Sequence, residues 1–414
     1  MRPIRFRATS AAVLAVAFGA SRVSAQFYTS LRTPSDSAIT IHAARVIDGR
    51  GRIEGDMLVT VRAGRIERVE KYSPARRATY ELGDATLLPG LIDAHVHPGW
   101  YFTRTVSLNN RDRSDTPVQS ALARAGNLYA TLMAGFTTIQ SVGGPEDLDL
   151  RDAVNRWQIP GPRILTSITQ LTDTALSPDS LRARVRSLKA RGADLIKLFA
   201  SSGLGAGGQQ LLSDAQIEAI CSEAKAQGLR TVVHAISAQS VRAATLAGCT
   251  EIEHGTFATD AELELMAKHG TIFDPQVCLV FQNYIDHRDA YARNGFTDAS
   301  FKALADAIPT ATAMFKRAIA TPGLKVIFGT DAVALAHGRN AEELFCRVKA
   351  GQSPMDAITS ATSATANALG LGERLGVVAA GFDADLIATR GNPANDIAAL
   401  TNVVFVMRGG VVFK

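Results

Sequence analysis

Cysteine and aromatic residues are scarce in this 414-residue chain, with only four cysteines and 6% aromatics, and no apolar run approaches the roughly 20 residues that span a bilayer. Stable membrane insertion is therefore not expected. A disulfide scaffold is excluded as well: Cys221, Cys249, Cys278 and Cys346 are scattered and form no Cys-x-x-Cys. A chain this long folds without staples, so the four read as buried small hydrophobes, with pairing left open. Charge of one sign is also missing. Lys plus Arg number 44 against 39 Asp plus Glu, a net +5, but four of those charges are Arg2, Arg5, Arg7 and Arg22 in an acid-free first 25 residues. The remainder is nearly neutral and carries no basic stripe, which excludes nucleic acid as a partner. What is present, 46% hydrophobic and 20% charged residues, is enough for a large core, neither disordered nor coiled-coil in character.

The first residues have the order of an export signal. Three arginines precede the apolar run Ala11 to Ala20, and Val23-Ser24-Ala25 stands before Gln26 as a small-x-small cleavage pattern. Residues 1–25 are expected to be removed on export to the periplasm or the extracellular space. The alternative is a basic tail or an uncleaved anchor.

Two textures divide the rest. From Ala38 to Leu88, and again from Gly376 to Lys414, the pattern is of short β-rich runs punctuated by turns such as Asp48-Gly49, Ala63-Gly64 and Gly409-Gly410. Both ends are expected to meet in one small β-sandwich, made of residues 26–88 and 367–414. Residues 89–366 alternate apolar strand-like runs with helix-period segments. The strands are read at Leu91 to Val96, Phe136 to Val142, Arg163 to Ile168, Leu195 to Ala200, Arg230 to Ala235, Glu251 to Gly255, Thr271 to Pro275 and Lys325 to Asp331. Ser213 caps and Gly228 stops one intervening helix, and Gly248 stops another that starts at Ser237. Eight β-then-α units over this length predict an α/β fold, a (β/α)8 TIM barrel. The unit after Pro275 is irregular, carrying Tyr284, His287 and Tyr291 before a helix from Phe301 to Ala320.

In such a barrel the C-terminal ends of the strands face the active site. Strand 1 ends Asp93-Ala94-His95-Val96-His97, and a period of two sends both imidazoles to one side. Strand 4 carries Lys197, strand 5 His234, strand 6 His254 and strand 8 Asp331. Each alone has a bland explanation, since a single strand-end histidine is more often a hydrogen-bonded structural group than a ligand. Four of the eight histidines together with a lysine and an aspartate at one end of the barrel are harder to dismiss. His42, His269 and His287 show no such placement and read as surface or structural.

Lys197 lies inside the apolar run Ala193-Asp194-Leu195-Ile196-Lys197-Leu198-Phe199-Ala200, where a charged ammonium is costly unless paired. Burial and nearby cations favour the neutral amine, which can add CO2 to become a carbamate, an anionic ligand able to bridge two metals. The bland alternative pairs Lys197 with Asp194 or a neighbouring acid. Imidazoles and oxyanions without thiolate suit Zn2+ and tolerate Mn2+ or Co2+. Two divalent ions bridged in this way would share a hydroxide formed at neutral pH, one of them polarising a scissile carbonyl. Asp331 is then placed to take the attacking proton and return it to the leaving nitrogen.

Leu88-Pro89-Gly90-Leu91-Ile92-Asp93-Ala94-His95-Val96-His97 resembles the opening signature of the metal-dependent amidohydrolase superfamily. The segments Ala193 to Lys197, Val232-Val233-His234-Ala235, Ile252-Glu253-His254-Gly255-Thr256 and Gly329-Thr330-Asp331-Ala332, followed by His337-Gly338-Arg339-Asn340, resemble its imidazolonepropionase-like and Xaa-Pro or Xaa-Arg dipeptidase-like branch. Ala380 to Ile387 resembles the return into the small β domain. The resemblance implies His95 and His97 on one metal, His234 and His254 on the other, carboxylated Lys197 as the bridge, and Asp331 as ligand and proton shuttle. His337 matches a position beside the site and implies contact with substrate or the developing oxyanion; a loop histidine turned to solvent is the alternative. Tyr284, in the irregular unit, is a further candidate substrate contact.

The sequence departs from the branch at three places. Gln140-Ser141 stands where relatives often have Arg-Asp, Ile236 where they often have a second His after strand 5, and the loop Ser201 to Gln210 lacks an Arg, Lys or Tyr to grip a free carboxylate. Its glycines at 203, 205, 207 and 208 suggest a mobile rim, or simply a long connection. The expectation is an exported binuclear metal hydrolase that cleaves a small-molecule carboxamide, in a dipeptide or N-acyl amino acid. Hydrolysis of a cyclic amide, as by imidazolonepropionase- or dihydroorotase-like members, is the runner-up, and a non-catalytic metal or solute binder the third reading. Self-association into a homo-oligomer is left open.

Overall fold

The computed structural model describes residues 34–414, so the expected export segment lies outside the described residues. The strands are β1 (Ile39–Ile47), β2 (Ile53–Arg62), β3 (Arg65–Lys71), β4 (Tyr80–Glu81), β5 (Thr86–Pro89), β6 (Leu91–Val96), β7 (Phe136–Ser141), β8 (Arg163–Thr166), β9 (Gln170–Leu171), β10 (Leu195–Phe199), β11 (Arg230–Ser237), β12 (Glu251–Phe257), β13 (Ile272–Asp274), β14 (Lys325–Val326), β15 (Leu386–Thr389), β16 (Val403–Arg408) and β17 (Val411–Val412).

The first and last strands of the described residues enter one sheet in the order β17-β16-β15-β5-β1-β2-β3, with β4 beside β1. Three strands separate β2 from β16, yet the hairpin at Gly64 touches the turn at Gly409 and Gly410, and Arg65 bridges Asp383. The sheet therefore curls on itself, which is how a single hydrogen-bonded path encloses the apolar core that includes Ile41, Val59, Leu87, Leu386 and Phe405.

The middle of the chain forms the barrel. Strands β6-β7-β8 and β9-β10-β11-β12-β13-β14 pair in parallel. Asp194 N–H donates to Thr166 O at one seam, and Ala94 N–H to Phe328 O and His97 N–H to Ala332 O at the other, so the ring closes. The last strand has only two ladder residues and continues to Asp331 through these bonds to β6. The helix Asp214–Ala226 starts at Ser213, whose side chain caps it in a reciprocal box with Gln216, and Gly228 follows with φ +68. The long helix of the irregular unit runs Asp298–Ala320, three residues earlier than its apolar period indicates, because Thr297 caps it. Between Pro275 and this helix lie two short ones, Leu279–Asp286 and Arg288–Ala292.

All four cysteines are paired, Cys221 with Cys249 and Cys278 with Cys346. The pairing that the sequence leaves open is decided by the fold, because partners 28 and 68 residues apart become neighbours only there. No described helix is long and apolar enough to cross a membrane.

Candidate metal centre

On β6 the residues Ile92, Ala94 and Val96 enter apolar clusters, while Asp93 and His95 alternate away from them, as a pleated strand requires. His95 and His97 lie with ring centroids 5.5 Å apart. Asp331 reaches both: its Oδ1 is 3.4 Å from His95 Nε2 and 3.2 Å from His97 Nε2. Its backbone is held by a 2.7 Å bond from its N–H to His95 O and bends to φ +52, a left-handed conformation that aspartate tolerates better than most residues.

His254 is brought in by a different device. Glu251 and Glu253 on β12 are wholly buried in the barrel, while Ile252 between them packs outward against the helices. Strict alternation would turn His254 outward too. Its φ of +67, beside a register shift between β11 and β12, turns the ring inward instead. It ends 5.1 Å from the His95 ring and 4.5 Å from the His234 ring. A bulky residue held in that region is costly, and such strain concentrates at functional sites. His234 stacks on Phe199 at 4.4 Å, with Nε2 3.3 Å from Ser202 O.

Lys197 is 1% exposed. Its partner is not Asp194, which is taken by Arg151 and the Thr166 N–H. The amine abuts Glu253 instead, and Glu253 also lies 3.0 Å from His95 Nδ1. Glu253 is the residue that sequence reasoning missed. It stood in the quoted run Ile252-Glu253-His254, and its position one residue before a strand-end histidine was the available signal.

Burial, reinforced by neighbouring like charges, holds His95 and His254 well below the usual imidazole range, and burial pulls His234 down to about 3. These rings are neutral at pH 7 and offer lone pairs, the form a metal needs. Burial also lowers the Lys197 amine to about 7, against the opposing pull of Asp331, Glu251 and Asp274. Three overlapping sets of donors among the described residues have the reach to hold an ion: His95 with His97 and Asp331, His95 with Glu253 and His254, and Glu253 with Glu251 and Asp274. Nδ1 of His97 is buried with no hydrogen-bond partner, and Nδ1 of His95, Nζ of Lys197 and the two carboxylate oxygens of Glu253 meet only one another, without hydrogen-bond geometry. Orphans at such a density are rare in finished cores. Neutral imidazoles, carboxylates and these orphan atoms together fit divalent cations.

Supporting groups surround the cluster. Buried Asp93 accepts from Thr330 Oγ1, Asn340 Nδ2 and the His95 N–H, tying strand 1 to strand 8; burial pushes its carboxyl up to about 7 despite those bonds. Gln140, which stands where relatives often have an arginine, donates to Ala94 O and accepts from Arg230, which pairs with Glu251 at 3.4 Å. His337 is partly exposed, but its Nε2 is buried without a partner; burial lowers the imidazole to about 4, with the His97 charge adding to it. Tyr284 sits in an aromatic cluster with Tyr291 and Phe296, at 4.5 and 5.0 Å, where burial and the Asp331 charge raise its phenol. The glycine-bearing loop is not loose: Ser201 bridges Gln210, Leu204 joins an apolar cluster with Trp100 and Tyr284, and Gly208 lies where a Cβ would collide with Ile236. His42 is structural, bonded to Glu81 and Asp56 and stacked on Tyr72.

A cleft of about 720 Å3 opens next to the centre, lined by Trp100, Tyr101, Arg124 and Glu146 among others. None of the six polar residues lines it. Trp100, 4.9 Å from the His97 ring, stands between the two.

Residues 86–413 match the model of the Amidohydrolase family. Ochratoxinase of Aspergillus niger is 25% identical over 435 aligned positions, covering 94% of this chain and 86% of that protein. Imidazolonepropionase of Deinococcus deserti is 25% identical over 360, covering 79% and 83%. Among solved structures, a Xaa-Pro dipeptidase with methionine bound in its active site superposes with a TM-score of 0.82 at 29% identity, covering 91% of this chain and all of that one. The chain belongs to the amidohydrolase family, as a hydrolase built on a barrel.

Proposed function

We propose that the protein is an exported binuclear amidohydrolase that cleaves the carboxamide of a dipeptide or N-acyl amino acid. His95 and His97 would hold one divalent ion and His234 and His254 a second, with Lys197, once carboxylated, adding an anionic oxygen ligand, and Zn2+ would be the best match to these donors. The observation that carries this reading is the meeting of Asp331 with both strand-1 imidazoles above a buried, depressed lysine amine. When bound, the two ions supply Lewis-acid polarisation of the scissile carbonyl and lower the pKa of water. The protein's own part is acid–base and positional. Asp331 takes the proton from the attacking water and delivers it to the departing nitrogen, so the amide and one water become a carboxylic acid and an amine, which at neutral pH pass to carboxylate and ammonium. Glu253 keeps the His95 ring oriented, and His337, from the loop after strand 8, and Tyr284, from the short helix Leu279–Asp286, face the substrate.

An amino acid in the active site of the Xaa-Pro dipeptidase neighbour supports an amino-acid-derived substrate. The test is a hydrolysis screen of zinc-loaded protein against dipeptides, N-acyl amino acids and cyclic amides, with turnover expected in the first two classes. Turnover confined to cyclic amides would favour the reading that the imidazolonepropionase relative suggests. Tight metal binding without turnover in any class would favour a solute binder.

Export rests on the Arg-led apolar run Ala11 to Ala20 and the small-x-small pattern ending at Ala25, and the pairing of every cysteine suits an oxidising compartment. N-terminal sequencing of secreted protein is expected to begin at Gln26; an intact Met1 on protein from the cytoplasm would refute it.

A further inference from the structure

A second polar cleft, of about 490 Å3, lies where the curled sheet meets the barrel, beside Arg163 at the start of β8 and so at the opposite end of the strands from the metal centre. Four guanidinium groups line it: Arg65 and Arg374 from the small domain, Arg163 from the barrel and Arg408 from the end of β16. Two carboxylates answer them. Asp383 is shared by three of the four, at 2.6 Å from Arg374, 3.3 Å from Arg163 and 3.7 Å from Arg65, and Asp385 lies 3.7 Å from Arg163. Four guanidinium groups thus face two carboxylates, and Arg408 has neither within ion-pair distance.

Arg408 is the most telling member. It is 4% exposed, spends one Nη2 bond on Val154 O, stacks its guanidinium 4.2 Å over the Trp157 ring, and leaves its Nε buried with no partner. The Nε of Arg163 is orphaned in the same way. Burial, with the Arg163 charge nearby, lowers the Arg408 guanidinium to about 10 against the pull of Asp385. A tie between two layers requires only matched pairs. Guanidinium in excess over carboxylate, with one group buried, unspent N–H groups on Arg163 and Arg408, and a cavity large enough for a small ligand, is the arrangement that recognises a tetrahedral oxyanion. The backbone is shaped around it as well: Trp157 holds φ +59, and Gly409, at φ +53, brings the chain so near that a Cβ would stand 3.4 Å from the indole.

We propose that this cleft is a phosphate-binding site, distinct from the metal centre, in which an inorganic phosphate ion bridges the small domain and the barrel. Binding to a site built from both layers stabilises the folded state by mass action, so the ion acts as a clamp.

The test uses metal-loaded protein titrated with inorganic phosphate by calorimetry, with Trp157 fluorescence and thermal unfolding as second readouts, against sodium chloride of equal ionic strength. Expected are saturable binding of one phosphate per chain at the cleft, a change in indole emission, and a Tm rise of about 2 °C or more. Arg374→Gln and, separately, Arg65→Gln remove donors whose side chains are half-exposed, so folding is spared. Each is expected to weaken phosphate about ten-fold or more while leaving amide hydrolysis unchanged. Acetate at equal concentration is expected to bind far more weakly. The proposal is overturned by the absence of binding above the chloride control, by equal binding of acetate, or by phosphate affinity that both arginine variants leave intact, which would place the ion on the metals.

Discussion

Replacing Lys197 by Ala distinguishes a bridging ligand from a buried ion pair, and the two roles differ in every observable. The amine is 1% exposed and faces Glu253, which is 0% exposed. If the side chain is only half of an ion pair, Lys197→Ala strands a buried carboxylate and destabilises the fold by about 3–5 kcal/mol. Metal content then stays at two per chain, and the double variant Lys197→Ala/Glu253→Gln regains most of that stability, because no unpaired charge remains. If the side chain is the carboxylated bridge, both ions lose an anionic ligand at once. Metal content then falls to one per chain or none, and turnover drops by more than the roughly 10–100-fold typical of changes to residues that merely support a ligand. The double variant recovers neither. Acetate or propionate at high concentration is expected to fill part of the vacated space and restore some metal. The assay is metal analysis of the purified variants beside turnover and urea unfolding. Two metals per chain with a wild-type rate would refute the bridging role.

Three further outcomes are expected. Asp331→Asn keeps an oxygen ligand but cannot accept a proton at neutral pH, so kcat falls by about 10²-fold or more in metal-replete protein; a near-normal kcat would route the proton elsewhere, with His337 next in line. His337 has a folded value of about 4 against an ordinary 6.5, so it contributes stability above pH 6.5 that is lost as the pH falls through about 4, on the order of 2–3 kcal/mol; His337→Gln should flatten that part of the urea-stability profile, and an unchanged slope would count against the burial argument. Opening the Cys221–Cys249 bridge with a double Ser variant releases a 28-residue loop and is expected to cost about 3–4 kcal/mol in thermal or urea unfolding, whereas an unchanged Tm would show that the link constrains little.

Local pattern in the sequence was enough for the barrel and for four histidines, a lysine and an aspartate at its strand ends. Strand alternation has a period of two, caps and glycine stops are set by neighbours in the chain, and barrel geometry then fixes which strand end faces the chemistry. Those arguments need only residues a few positions apart. The partner of Lys197 was beyond them. Asp194 is three residues away and belongs to Arg151, while Glu253 is 56 positions on and meets the amine only across the barrel interior. His254 shows the same limit from the other side, since period two alone points it outward and a left-handed turn brings it in. Cysteine pairing, the packing of Leu204 against Trp100 and Tyr284, and the four arginines gathered from Arg65 to Arg408 all join segments far apart in the chain. Sequence pattern therefore determined the elements and the kind of chemistry at their ends, and tertiary structure decided which buried charges meet, because that depends on closing the ring and curling the sheet.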